Sequence, residues 1–95
     1  VITLRVWSPE AGVPVRLKLE NGGLAWDHAD QRVVEVDALT TAANSWQTLS
    51  FDFGSDSRLN HDNVYNKLTA FFDFGNLGSG ETYYFDNVAY AVIPV

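Results

Sequence analysis

The sequence predicts an all-β fold, an antiparallel β-sandwich of jelly-roll type with about six strands. Three observations predict it. Apolar and polar residues alternate with period two along most of the 95 residues, as they do when a strand sends successive side chains to opposite faces. Clusters of Gly, Asn, Ser and Pro break the alternation about every 8–20 residues. No stretch carries a helical period, beyond room for one short turn within residues 56–65.

The first strand is expected over residues 1–8, where Ile2, Leu4 and Val6 alternate with Thr3, Arg5 and Trp7. The turn SPEAG leads into a second strand over 13–21. There Val13, Val15, Leu17 and Leu19 alternate with Pro14, Arg16, Lys18 and Glu20, and Asn21, Gly22 and Gly23 end it. A third strand is expected over 32–41, with Val34, Val36 and Ala38 on one face and Glu35, Asp37 and Leu39 on the other. The fourth, over 46–53, sets Leu49, Phe51 and Phe53 against Thr48, Ser50 and Asp52, and Gly54 stops it. The fifth, over 65–74, sets Leu68, Ala70, Phe72 and Phe74 against Lys67, Thr69, Phe71 and Asp73. After GNLGSG, the sixth runs over 82–92, where Tyr83 and Phe85 lead into Val88 and Tyr90. The expected core comprises Leu4, Val6, Val15, Leu17, Leu19, Val34, Val36, Leu49, Phe51, Leu68, Ala70, Phe72 and Phe85. Two sheets with one apolar face each would bury those faces against each other.

Residues 1–95 amount to one domain. Six Lys and Arg against 12 Asp and Glu give a net charge of -6, which argues against a nucleic-acid partner. No apolar run approaches the ~18 residues of a membrane span. The absence of cysteine excludes disulfide scaffolds, thiolate metal sites and cysteine nucleophiles. The chain opens at Val1, inside an apolar pattern and without Met. It is therefore expected to be a fragment or processed piece of something longer, any signal peptide lying upstream.

Residues 2–9 followed by AGVPVRLKLENG resemble the middle of the β-jelly-roll carbohydrate-binding modules attached to bacterial polysaccharide hydrolases and lyases. So do residues 34–41 followed by AANSWQTLSFDFG, and YNKLTAFFDFGN followed by GSGETYYFDNVAY. The general plan is similar to that of the family-four and family-twenty-two modules. Such modules usually carry further strands before the one matching residues 2–8. The resemblance implies polysaccharide binding without catalysis, an extracellular location and a structural calcium ion served by an Asp at the position of Asp86. The other reading of Asp86 is a bulge or strand-end carboxylate paired with backbone.

Glu35-Val36-Asp37 resembles the start of the E-x-D-x-x-E signature of family-sixteen glycoside hydrolases, in which paired carboxylates act as acid and nucleophile. The third Glu is absent, because positions 38–41 read Ala, Leu, Thr, Thr, and a polar strand face is the better reading. His28 with Asp27 and Asp30, and His61 with Asp62, read as solvated loop residues rather than as metal or general-base sites. The chain is thus expected not to be an enzyme.

Sugar rings present C–H groups that pack on an aromatic ring, while their hydroxyls take polar partners at its edge. Trp7, Trp26, Trp46, Phe71 and Tyr84 are the stacking candidates, and Trp46, opening a strand, reads first as a packing residue. The second and fifth strands are expected to be neighbours. The ligand-binding set is therefore Arg16, Lys18, Glu35, Asp37, Lys67, Phe71 and Asp73, joined by Trp7 or Trp26. Cross-strand salt bridges among the same charges are the plain alternative.

The expected function is polysaccharide binding that targets an attached glycoside hydrolase or lyase to its substrate, with no required cofactor. The alternative is a structural domain that self-assembles through exposed strand edges. A homodimer or larger homo-oligomer is expected, by strand pairing or exchange, with the first strand as donor or seam.

Overall fold

The computed structural model describes residues 1–23, 33–60, 62 and 64–90. Among these the fold is all-β: β1 (Ile2–Ser8), β2 (Pro14–Glu20), β3 (Val33–Leu39), β4 (Ser45–Phe51), β5 (Lys67–Phe72) and β6 (Tyr84–Tyr90). They form two three-stranded antiparallel sheets, ordered β4-β1-β6 and β3-β2-β5. All six expected strands are present; β4 begins one residue before its expected span and ends two residues short of it, and β5 is four residues shorter than expected. The two sheets pack as a β-sandwich around a core of Ile2, Leu4, Val6, Val15, Leu17, Leu19, Val34, Leu49, Phe51 and Phe53.

The two central strands, β1 and β2, are consecutive in the chain and show the cleanest alternation of burial. Only residues 9–13 separate them, so the chain steps from the centre of one sheet to the centre of the other. A second step, from β3 to β4, runs beside the first. Thr40, buried to 2% exposure, joins them. Its backbone N–H donates to the Val13 carbonyl (3.0 Å) and its carbonyl accepts from Gly12 (2.6 Å). Its hydroxyl accepts from the Val13 N–H (2.9 Å) and donates to the Glu10 carbonyl (3.0 Å). Gly12 adopts φ 77°, a left-handed conformation that costs glycine little.

The sandwich is closed on one flank and open on the other. Where β3 and β4 meet, Val34, Leu49 and Phe51 are buried to 5% exposure or less. Where β5 and β6 meet, the inward positions remain in contact with solvent. Leu68 and Phe85 were expected in the core, yet they are 38% and 55% exposed. Both face inward, opposite Leu19 and Val6 respectively. The face was therefore legible but the cover was not, because among the described residues β5 and β6 each have a neighbour on one side only. Val36, Ala70 and Phe72, also expected in the core, are partly buried against it. The expectation that the first strand forms a seam is corrected as well: β1 is bonded on both sides, by β4 and by β6.

β6 carries a bulge. Its register against β1 slips between Thr3 and Arg5, and Asn87 sits at φ 51°. The extra residue moves the inward phase from Phe85 to Val88 and Tyr90, as bulges do, and accounts for the change of parity in the sequence.

The buried hydroxyl of Thr40 gives a direct test. Thr40→Val keeps shape but removes the acceptor of the Val13 N–H, and should cost about 1–3 kcal/mol in urea unfolding. Thr40→Ser should recover most of that loss.

Candidate functional site

Each sheet presents an outer face, and the two faces differ in chemistry. On the β4-β1-β6 face the register lines up three rows. Trp46, Trp7 and Tyr84 form the first, Thr48, Arg5 and Asp86 the second, and Ser50, Thr3 and Ala89 the third. Neighbouring strands lie about 4.8 Å apart, so each row is about 10 Å across. The aromatic row is continuous. Trp7 and Tyr84 meet edge to face at 5.5 Å between centroids, and Trp46 and Trp7 are direct cross-strand partners. Trp46 is 44% and Tyr84 54% exposed, while Trp7 between them is half-buried. Beside the rings, the Arg5 guanidinium lies over Trp46 at 4.8 Å and its Nε is 3.7 Å from an Asp86 carboxylate oxygen.

The sequence argument underrated Trp46 as a packing residue. Its phase held the answer: Leu49 and Phe51 point inward, so even-numbered β4 residues point outward. Tyr84 pairs with Trp7 through a register that no local pattern specifies.

The β3-β2-β5 face gathers seven residues expected to bind ligand. Arg16, Lys18, Glu35, Asp37, Lys67 and Phe71 lie on it, and Asp73 follows the end of β5. Arg16 donates from Nε and Nη2 to the two Asp37 carboxylate oxygens at 2.7 and 3.0 Å, and from Nη1 to Glu35 at 3.4 Å. Its guanidinium also stacks 3.8 Å from the Phe74 ring centre, and Phe71 meets Phe74 edge to face. Lys18 and Lys67 lie 4.0 and 3.6 Å from Glu20, whose side chain is buried. Arg16 thus makes cross-strand salt bridges with Glu35 and Asp37, as the plain alternative has it, while Lys18 and Lys67 approach Glu20, a residue outside the expected set. Asp73 accepts from the Asn76 side chain at 2.8 Å.

Trp7 lies on the opposite sheet and so does not extend this charged patch. Trp26, His28 and His61 lie outside the described residues. Asp86 faces Arg5, and among the described residues no three His, Cys, Asp or Glu side chains cluster as metal ligands.

Arg16 governs the electrostatics of the Glu35/Asp37 pair. Its side-chain hydrogen bond holds the Asp37 carboxyl below the usual carboxylate range, whereas a glycosidase acid has its pKa raised. A second arginine works next to it. Arg58 donates to the Glu35 backbone carbonyl at 2.5 Å and to Asp56 at 2.7 Å. Hydrogen bonds from Arg58 bring the Asp56 pKa down to about 2.

The chain matches no protein-family model, no curated protein and no solved structure.

The Asp37 shift fixes a pH dependence. A carboxyl with a depressed folded-state pKa stabilises the fold above its unfolded pKa, about 3.9, and that contribution fades as pH falls through the folded value. Asp37→Asn should therefore be less stable than the parent at pH 7, by under about 1 kcal/mol for this solvent-screened pair. In urea titrations the difference should shrink as pH falls below the unfolded value and through the lower folded-state one.

Proposed function

We propose that the chain is a non-catalytic polysaccharide-binding module that acts outside the cell and holds an attached hydrolase or lyase against its substrate. The observation that carries this reading is the outward row of Trp46, Trp7 and Tyr84. Exposed rings aligned across a sheet cost solvation free energy unless a ligand covers them. The apolar C–H face of a pyranose is such a cover. Its equatorial hydroxyls would then meet Arg5, Asp86 and Thr48 in the adjacent row, a donor, an acceptor and a group that is both. The small third row of Ser50, Thr3 and Ala89 leaves room for the sugar chain to continue. An uncharged glycan suits the site best, because the net charge is -6 and Arg5 already faces a carboxylate.

The same reading draws support from the opposite face. A ligand there would have to displace the bidentate Arg16–Asp37 pair, and leaving either charge short of its partner is costly. Glu35 and Asp37 both face Arg16, an arrangement of a paired strand surface rather than of an acid and a nucleophile. No cofactor is required.

Binding to laminarin and xylan, measured by affinity electrophoresis, tests the proposal. Trp46→Ala and Tyr84→Ala should each weaken binding about tenfold, the loss of roughly 1.4 kcal/mol, with the circular dichroism spectrum unchanged. Phe71→Ala, on the charged face, should leave binding as it was. Loss of binding through Phe71 alone would move the site to the β3-β2-β5 face. No new reducing ends should appear from laminarin, xylan, alginate or agar.

A further inference from the structure

The open flank between β5 and β6 is the other unexplained surface. Leu68, Phe85, Val88 and Tyr90 point into it from the two sheets and are 38%, 55%, 51% and 81% exposed. A cavity of about 310 Å³ lies along it, floored by Ile2 and Leu19. An apolar patch of this kind, set between two strands that each have a free edge among the described residues, marks a place where another chain packs.

The outer strands treat their free edges differently. On β3, Arg58 caps the Glu35 carbonyl. On β6, the bulge at Asn87 and the charge of Asp86 interrupt the edge. On β4, Ser45, Thr48 and Ser50 punctuate the strand, and its inner face is closed by β3. β5 carries its one charge, Lys67, at its first residue, and the positive φ of Asp73 falls just beyond its end. Leu68–Phe72 between them contains no charge, no proline and no positive φ.

β5 is also self-complementary. Place two copies antiparallel about a two-fold axis through Ala70. Ala70 then faces Ala70 of the second copy, inward Leu68 faces inward Phe72, and outward Thr69 faces outward Phe71. Lys67, whose side chain is 62% exposed, comes opposite Asp73. Face matches face and charge matches opposite charge at both ends, the requirements for cross-strand pairing. A two-fold contact is self-complementary in this sense by necessity.

We infer that the β5 edge pairs with β5 of a second copy of this chain, centred on Ala70, to form a dimer with one continuous six-stranded sheet. The two open flanks then face each other, and the exposed inner-face residues of each copy are covered by the other. This inference is independent of glycan binding.

The lack of native cysteine allows a positional test. Facing residues of an antiparallel pair have Cα atoms roughly 4.5–5.5 Å apart, within disulfide range. In mild oxidant, Ala70→Cys should cross-link to a covalent dimer, while Thr69→Cys, which faces Phe71 instead, should not. Light scattering at low micromolar concentration should give twice the chain mass of 10.6 kDa. Lys67→Glu should weaken the dimer about tenfold, since two symmetry-related pairs turn from attractive to repulsive. Adding Asp73→Lys should restore it. A folded monomer would overturn the inference. So would a dimer that cross-links through Thr69→Cys and not Ala70→Cys, or one indifferent to both charge changes.

Discussion

Thr40 ties together two of the places where the chain changes sheets, the β1–β2 and β3–β4 steps, and the rest of the sandwich is arranged by that tie. One residue uses its N–H, its carbonyl and its hydroxyl to hold Gly12, Val13 and Glu10. The β1–β2 step is thereby fixed beside the β3–β4 step. Because β1 and β2 are the sheet centres, fixing their connection sets how the sheets face each other. It also brings β3 and β4 together on one flank, where Phe51, Leu49 and Val34 complete the core. A buried hydroxyl that satisfies two backbone groups avoids a desolvation penalty that an apolar residue there would incur. The opposite flank has no such tie among the described residues, and it is open.

Much of this was legible in the sequence, and what was missed has a common cause. Period-two alternation located all six strands and assigned Leu4, Val15, Leu17 and Phe51 to the interior, because alternation is a local property of the chain. It also assigned Phe71 to the outward face, opposite Arg16. Leu68 and Phe85 were placed on the correct face and wrongly judged covered. Coverage depends on which strands lie alongside, and that is set by sheet order. Thr40 gave no signal either. Its hydroxyl serves Val13, 27 positions away, and nothing in the surrounding TTAAN distinguishes it from a solvated turn residue. The aromatic row falls between these cases. The outward phase of Trp7 and Trp46 could be read from their own strands, but their alignment with Tyr84 required the register on both sides of β1.

The two outer faces illustrate how similar components reach opposite ends. Both carry arginine, carboxylate and aromatic rings. On the β3-β2-β5 face the acids outnumber their spacing needs: Glu35 and Asp37 both reach Arg16, and Glu20 gathers Lys18 and Lys67. Around Arg16 hydrogen-bonding capacity is spent within the protein, and the aromatic Phe74 is covered by the Arg16 guanidinium. On the β4-β1-β6 face, one Arg and one Asp stand at 3.7 Å, too long for a strong hydrogen bond. Their remaining donors and acceptors are free to meet polar groups from outside, beside rings that stay exposed. Between Arg16 and Arg5 the difference is one of saturation rather than composition.

Symmetry connects the aromatic face to the open flank. A two-fold axis that extends the β3-β2-β5 sheet edge to edge runs perpendicular to that sheet. Rotation about it keeps each outer face on its own side, so the aromatic rows of two copies are displayed on the same broad surface. In the proposed dimer a polysaccharide, as a repeating ligand, would engage both rows at once. The second contact is then intramolecular, and its strength is set by an effective concentration rather than by the bulk one. A single row of three rings offers little contact area for firm attachment. Two rows held at fixed separation, as the proposed dimer would hold them, would give a small module firm attachment without enlarging either site, and the edge that an isolated sandwich leaves unpaired would become the means of holding them.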